Sequence, residues 1–117
     1  MLTISPHIAD PLEDLRVRFL RRVSRDIAAL SEHRAALKGG AVPPQTLDNI
    51  KQVAHSLSGA GGIYGFQDIS DAAAALEDAA LARLAAEGSD EMLSGALDEL
   101  IALAPPEQAR QNPAVTR

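Results

Sequence analysis

The most constraining stretch of the chain is PPQTLDNIKQVAHSLSGAGGIYGF, residues 43–66. Its two prolines suit the start of a helix, where the N–H that proline lacks has no partner in the helix. Apolar or small residues then recur at intervals of three and four, at Leu47, Ile50, Ala54, Leu57 and Gly61. This spacing predicts a helix with one buried stripe. The glycines from Gly61 to Gly65 are poor helix formers and predict that the helix ends among them.

Three further helical segments are marked by similar start and stop signals. They run from Asp10-Pro11 to Gly39-Gly40, from about Asp68 to Glu87, and from Ser89 to just before Pro105-Pro106. Asp10 and Ser89 are predicted N-caps, and Leu84 is predicted to face inward. Short connections between long helices favour antiparallel neighbours. The sequence therefore predicts an all-α fold, an antiparallel up-down four-helix bundle.

The composition excludes several classes of function. A chain of 117 residues without cysteine suits one domain and cannot hold a disulfide, a thiol nucleophile or a cysteine-ligated zinc. A net charge of −5 argues against binding nucleic acid. The N-terminus does not resemble a signal peptide, and no apolar run approaches the roughly 20 residues that span a bilayer. We expect a cytoplasmic domain that contacts neither nucleic acid nor membrane.

A helical wheel places His55 on the outer face of the second segment. At about 100° per residue, its side chain lies roughly a third of a turn from the centre of the buried stripe. Ser58 falls between this outer face and the stripe. The other residues around the imidazole on the outer face are Asp48, Lys51, Gln52, Gly59 and Gly62, so that one cation, one amide and two glycines flank the ring. We therefore expect an exposed ring, with Gly59 removing the side chain that would crowd it one turn later.

The surroundings of His55 favour one kind of chemistry over others. No acid lies at helical spacing to build a hydrolytic triad, and no second histidine lies at i+3 or i+4 to share a metal. His7 and His33 belong to other segments, so no metal site is predicted. A neutral imidazole can attack phosphorus if one ring nitrogen is accessible. A passive surface histidine beside a frayed helix end is the alternative.

The residues around His55 resemble the signature of histidine phosphotransfer (HPt) domains. That signature reads approximately His-x-Leu-Lys-Gly, followed by small residues and a later glycine. The residues in register are His55, Leu57, Gly59, Ala60 and Gly65, with Ile69 and Leu76-Glu77 fitting the next helix of the family. The resemblance extends over nearly the whole chain. It implies an HPt-like bundle over residues 1–104, and the polar, aperiodic residues 105–117 are expected to form a flexible tail.

The resemblance implies a phosphorelay intermediate without a kinase active site of its own. His55 would accept a phosphoryl group from the aspartate of one receiver domain and pass it to another. The partners would be receiver domains of response regulators or of hybrid histidine kinases. Magnesium would belong to the receiver, so no cofactor is expected in this chain. The charged outer faces favour a monomer.

One position departs from the family pattern and leaves two questions open. The family's lysine at i+3 is Ser58 in this chain. Lys51, one turn before His55, is a hypothetical replacement that would support the phosphoryl group, and Ser58 could instead donate a hydrogen bond. The alternative is that neither residue supports the phosphoryl group. The departure also keeps a second function open, a non-phosphorylated helical adaptor or inhibitor that binds a receiver domain or histidine kinase.

Overall fold

The computed structural model of the protein describes residues 11–38 and 42–105. Four α-helices account for most of these residues: α1 is Pro11–Leu37, α2 is Pro44–Tyr64, α3 is Gln67–Leu84 and α4 is Asp90–Ile101. The most extensive packing joins α2 to α3, and contacts of α3 with α4, α4 with α1 and α1 with α2 complete the arrangement. Residues 11–38 and 42–105 contain no strand. The predicted antiparallel up-down four-helix bundle is confirmed.

The core is almost entirely aliphatic and draws on all four helices. Its largest fully buried side chains are Val23, Leu30, Ile50, Leu57, Leu76, Leu93, Leu97 and Leu100. Full burial of a side chain of this size contributes about 1.5–3 kcal/mol. Every member of the predicted stripe on α2 is buried, including Gly61. Burying this stripe directs the opposite face of α2 to solvent, and that face carries His55.

One end of the bundle is closed by the three aromatic side chains of the chain. The Phe19 ring lies 5.2 Å from that of Tyr64 and 5.6 Å from that of Phe66, measured between centroids. Tyr64 and Phe66 are half-buried against the core. The same end holds the connection between α2 and α3, so the aromatic contacts help to fix how these two helices meet.

Helix α2 ends where its glycines predict. Gly65 adopts a left-handed conformation with φ of 86°. The Phe66 N–H donates to the Gly61 carbonyl at 2.8 Å, and the Gly65 N–H donates to the Gly62 carbonyl at 3.4 Å. This pair of bonds is a Schellman motif, which satisfies carbonyls that the helix end would leave without partners. The chain turns immediately into α3.

Helix α3 is shorter than predicted. It ends at Leu84 rather than Glu87, and Leu84 is exposed rather than inward-facing. Ala86 adopts a left-handed conformation, and the Glu87 N–H donates to the Ala82 carbonyl at 2.7 Å. A second Schellman motif therefore ends the helix at an alanine, a residue type that gives no stop signal in a sequence.

The starts of the helices agree more closely with prediction. Ser89 caps α4, since its Oγ accepts the Met92 N–H at 3.1 Å. Helix α3 begins one residue earlier than expected, at Gln67. The predicted cap at Asp10, the stop at Gly39-Gly40 and the tail after Pro105 lie outside the described residues.

An ion pair ties α1 to α4. Arg34 donates to both carboxylate oxygens of Asp98, from Nε at 2.8 Å and from the terminal Nη2 at 3.3 Å. The hydrogen bond from the Arg34 guanidinium lowers the pKa of Asp98 below its ordinary value. The same bond raises the pKa of Arg34. The pair lies on a different pair of helices from His55 and takes no part in its chemistry.

Candidate functional site

His55 lies near the middle of α2 on its solvent face. Its side chain is 76% exposed, as the helical wheel predicts. Ala54 and Leu57, on the opposite side of the same helix, are fully buried and hold that turn against the core. His55 therefore lies on a helix whose other face is packed against the core, and its imidazole ring remains accessible to another protein.

A carboxylate from the neighbouring helix orients the ring. The Nδ1 atom of His55 lies 2.9 Å from Oε2 of Glu77 on α3. An ionised carboxylate can only accept hydrogen bonds, so this contact requires the proton on Nδ1. The other ring nitrogen, Nε2, then carries the lone pair. Periodicity within the second segment predicts no acid partner for His55, because Glu77 lies on another helix.

The contact between His55 and Glu77 could have been predicted from the positions of the two residues relative to the turn between α2 and α3. His55 precedes the turn at Gly65 by about 15 Å of helix, and Glu77 follows Phe66 by about 16 Å, at 1.5 Å per residue. Two residues at equal heights on antiparallel helices can meet if both lie beside the shared seam. Counting outward from the turn would have selected Glu77 among the acids of the third segment.

Lys51 and Gln52 are brought together with His55, as predicted. These residues, with Glu77 and Leu81 of α3, line an open cleft of about 400 Å³. Both side chains are also held by Asp48. Lys51 Nζ lies 3.0 Å from Asp48 Oδ1, and Gln52 Nε2 donates to Asp48 Oδ2 at 2.7 Å. Asp48 therefore fixes the cation and the amide at the edge of the cleft that contains the imidazole.

Ser58 lies outside that group of cleft-lining residues. It is half-buried, and its backbone carbonyl accepts a hydrogen bond from Ser70 Oγ at 2.7 Å. Its own hydroxyl has no hydrogen-bond partner within residues 11–38 and 42–105. The hydroxyl can therefore still donate to a group that arrives from outside.

The two exposed glycines leave space that the fold itself does not use. A Cβ atom at Gly59 would have no heavy atom within 4 Å, and one at Gly62 would meet only Ser70 Oγ, at 3.7 Å. An alanine methyl at position 59 would therefore not reach the imidazole, so the expected crowding would need a longer side chain there. What Gly59 leaves open is the surface beside His55.

The opposite flank of His55 is tied to α1. Arg22 donates a hydrogen bond from its terminal nitrogen to Ser56 Oγ, and its Nε lies 3.4 Å from Asp26 Oδ2. Ser56 directly follows His55 in the chain. An arginine of α1 is thus fixed beside the helix face that carries the imidazole, an arrangement that periodicity within one helix cannot predict.

Metal-binding clusters and membrane-spanning helices are both absent from the described part of the chain. Residues 11–38 and 42–105 contain no cluster of three or more histidine, cysteine, aspartate or glutamate side chains that could hold a metal ion. None of the four helices combines the length and apolar character needed to cross a bilayer.

The family of the chain is established by comparison with known proteins. The family model of the Hpt domain matches residues 14–104. No curated protein and no solved structure gave a significant match. Hpt domains act as histidine phosphotransfer modules in phosphorelays and have no kinase activity of their own. The match extends over most of the chain and all four helices, and the protein therefore belongs to the Hpt domain family.

Proposed function

We propose that the protein is a phosphorelay intermediate with His55 as its phosphoacceptor. It takes a phosphoryl group from the aspartate of one receiver domain and passes it to the aspartate of another. The receivers belong to response regulators or to hybrid histidine kinases. One observation carries this proposal: an exposed histidine whose Nδ1 lies 2.9 Å from Oε2 of Glu77, while Nε2 has no hydrogen-bond partner among residues 11–38 and 42–105.

The chemistry follows from this tautomer. The Nε2 lone pair attacks the phosphorus of an aspartyl phosphate, the N–P bond forms, and the P–O bond to the aspartate breaks. The aspartate leaves as a carboxylate, and no proton has to depart from Nε2. In the second step a carboxylate of the next receiver attacks phosphorus, and the N–P bond breaks to restore the neutral ring. Both steps need in-line access to Nε2.

Glu77 supports the reaction through its charge as well as its position. When Nε2 bonds to phosphorus with the proton still on Nδ1, the ring becomes cationic. The Glu77 carboxylate then accepts its hydrogen bond from a cationic donor, so the attraction between opposite charges is added to the bond that it already makes with the neutral ring. This raises the affinity of the ring for the phosphoryl group and holds Nε2 in one direction.

Lys51 is the proposed cation for the phosphoryl oxygens. It lines the same cleft as His55, and its salt bridge to Asp48 is partly exposed. Exposed pairs of this kind contribute only about 0–1 kcal/mol, so Lys51 can exchange Asp48 for a phosphoryl oxygen at small cost. Ser58 is a second candidate, through its unpartnered hydroxyl. Gly59, Gly62 and Gln52 form the proposed surface that a receiver approaches.

The first experiment offers the protein to a panel of phosphorylated receiver domains and follows the label. We expect acid-labile, base-stable label on the native protein and none on His55→Ala. His33→Ala is the matched control, because His33 is another helical histidine and lies on α1. NMR of the labelled protein should place the phosphorus on Nε2. Label retained by His55→Ala would refute the assignment, and binding without label would support the adaptor function instead.

Three substitutions test the two supporting residues, Glu77 and Lys51, separately. Glu77→Gln keeps an acceptor for Nδ1 but removes the charge, so the transfer rate should fall by about tenfold, as expected for a loss of about 1.4 kcal/mol. Glu77→Ala should reduce the rate further, because the ring also loses its orientation. Lys51→Ala should slow transfer or shorten the lifetime of the phosphorylated protein. Unchanged rates for Lys51→Ala would remove this residue from the site.

A further inference from the structure

A second surface adjoins the His55 face on the side of α1. It is a cleft of about 230 Å³ lined by Leu15, Arg18, Phe19, Arg22, Arg25 and Tyr64. We infer that this cleft, named here the α1 basic cleft, receives an acidic segment of the receiver domain that presents its phosphoaspartate to His55. The inference rests on the proposed function and specifies how the partner is recognised.

The charge of this surface is opposite to that of the chain as a whole. Residues 14–26 contain five arginines and two aspartates, whereas the complete chain has a net charge of −5. Arg18 lies 3.1 Å from Asp14, and the contact of Arg22 with Asp26 is described above. Arg25 is exposed and has no hydrogen bond or ion pair in the described part of the chain. The cleft therefore retains positive charge after its internal pairs are counted.

The internal pairs do not prevent these arginines from binding a partner. The Arg18 and Asp14 side chains are 71% and 61% exposed. Exposed pairs along one helix contribute about 0.3–0.5 kcal/mol. A carboxylate from a partner can replace such a contact, or share the guanidinium with it, because arginine offers five N–H donors. Arg25 can bind a carboxylate of the partner without first giving up an ion pair within the described part of the chain.

The cleft is linked to the proposed acceptor site through Arg22. Arg22 lines the cleft and also donates a hydrogen bond to the hydroxyl of Ser56, the residue after His55. Leu15 adds an exposed apolar surface, and Tyr64 adds part of its ring at the end of α2. A protein that docks on the Ser56 side of His55 therefore also lies near Arg22, at the edge of the α1 basic cleft. Positive charge beside an apolar contact fits an acidic, amphipathic segment.

This arrangement predicts how the partner associates. Complementary charges at the edge of an interface mainly raise the association rate and set partner choice, with a strong dependence on ionic strength. The chemical step at Nε2 should not depend on Arg25, because Arg25 is not among the residues that line the cleft around the imidazole. Loss of its charge should reduce kcat/KM and leave kcat at saturating partner nearly unchanged.

The test compares Arg25→Glu with Lys38→Glu. Each substitution changes the net charge by the same amount at an exposed position, but Lys38 follows α1 at the far end from Tyr64 and lies outside the cleft. The probe is the receiver domain from the panel that labels the native protein fastest. A small phosphoryl donor, phosphoramidate, serves as a second probe because it has no protein surface.

We expect Arg25→Glu to lower kcat/KM for the receiver by about five- to tenfold at about 30 mM salt, and much less at about 300 mM. Lys38→Glu should change it less than about twofold, and phosphoramidate should label all three proteins equally. Equal values for the two variants with the receiver would overturn the inference and leave His55 as acceptor. No receiver labelling of the native protein would instead overturn the proposed function, and this inference with it.

Discussion

Gly61 and Gly59 lie two residues apart on α2, and the structure predicts opposite effects when each is replaced by alanine. Both substitutions remove a glycine from a helix, which by itself stabilises the protein by about 1 kcal/mol. The difference lies in what the new methyl group meets. A Cβ at Gly59 would have no heavy atom within 4 Å, whereas a Cβ at Gly61 would lie 3.1 Å from Ser70 N and 3.2 Å from Phe66 O.

The atoms around Gly61 cannot easily move away. They are backbone atoms of the first turn of α3, and the Ser70 N–H donates to the Phe66 carbonyl at 3.0 Å. Phe66 in turn donates to Gly61 across the turn. A methyl group forced into such a contact costs about 1–3 kcal/mol. The gain in helix propensity is common to both variants. The difference between their free energies of unfolding therefore measures the steric cost of the methyl group at position 61.

The assay is urea unfolding of the native protein, Gly59→Ala and Gly61→Ala, followed by circular dichroism. Gly59→Ala should be more stable than the native protein by up to about 1 kcal/mol. Gly61→Ala should be less stable than Gly59→Ala by about 1–3 kcal/mol, which corresponds to a difference of at least about 4 °C in Tm. Equal stability of the two variants would refute the close approach of α2 and α3 at Gly61.

Three further substitutions test the core, a helix cap and the pair between α1 and α4. Leu57→Ala removes a fully buried side chain and should lower the free energy of unfolding by about 2–5 kcal/mol in the same urea assay. Ser89→Ala removes the cap of α4 and should cost about 1 kcal/mol, with Ser94→Ala as control. The pKa of Asp98 is lower in the folded protein than its ordinary value, so the ionised carboxylate stabilises the fold. This contribution to the free energy of unfolding is complete above the ordinary carboxyl pKa and is lost as the pH falls through the pKa of the folded protein. Asp98→Asn should therefore lower the Tm at pH 7, and the difference in Tm between this variant and the native protein should disappear below about pH 4. A difference in Tm that stays constant down to pH 2 would contradict this assignment.

Much of the fold could be predicted from the sequence, because its signals are local. The stripe on α2 and its glycine-rich end determine which face is buried and where the chain turns. Ser89 gives the start of α4 for the same reason. The end of α3 could not be predicted in this way, since a left-handed Ala86 is stabilised by hydrogen bonds to Ala82 and Arg83 rather than by a preference of alanine itself.

In the candidate site, too, the features that depend on one helix could be predicted, and the contacts between helices could not. The exposure of His55 and its proximity to Lys51 and Gln52 follow from one helical wheel. The contact with Glu77 depends on how α3 packs against α2, and the contact of Arg22 with Ser56 depends on α1. Interactions between helices need the register of the bundle, which the periodicity of a single segment does not contain.

The contact between Nδ1 and Glu77 has a consequence for the kinetics of the proposed relay. With a single ring nitrogen open, the proposed donor and acceptor would have to use the same side of α2, so they could not bind at the same time. The reaction should therefore follow a ping-pong scheme, with parallel lines in double-reciprocal plots and no ternary complex. An unphosphorylated acceptor in excess should compete with the donor, so the flux through the protein passes through a maximum as the acceptor concentration rises.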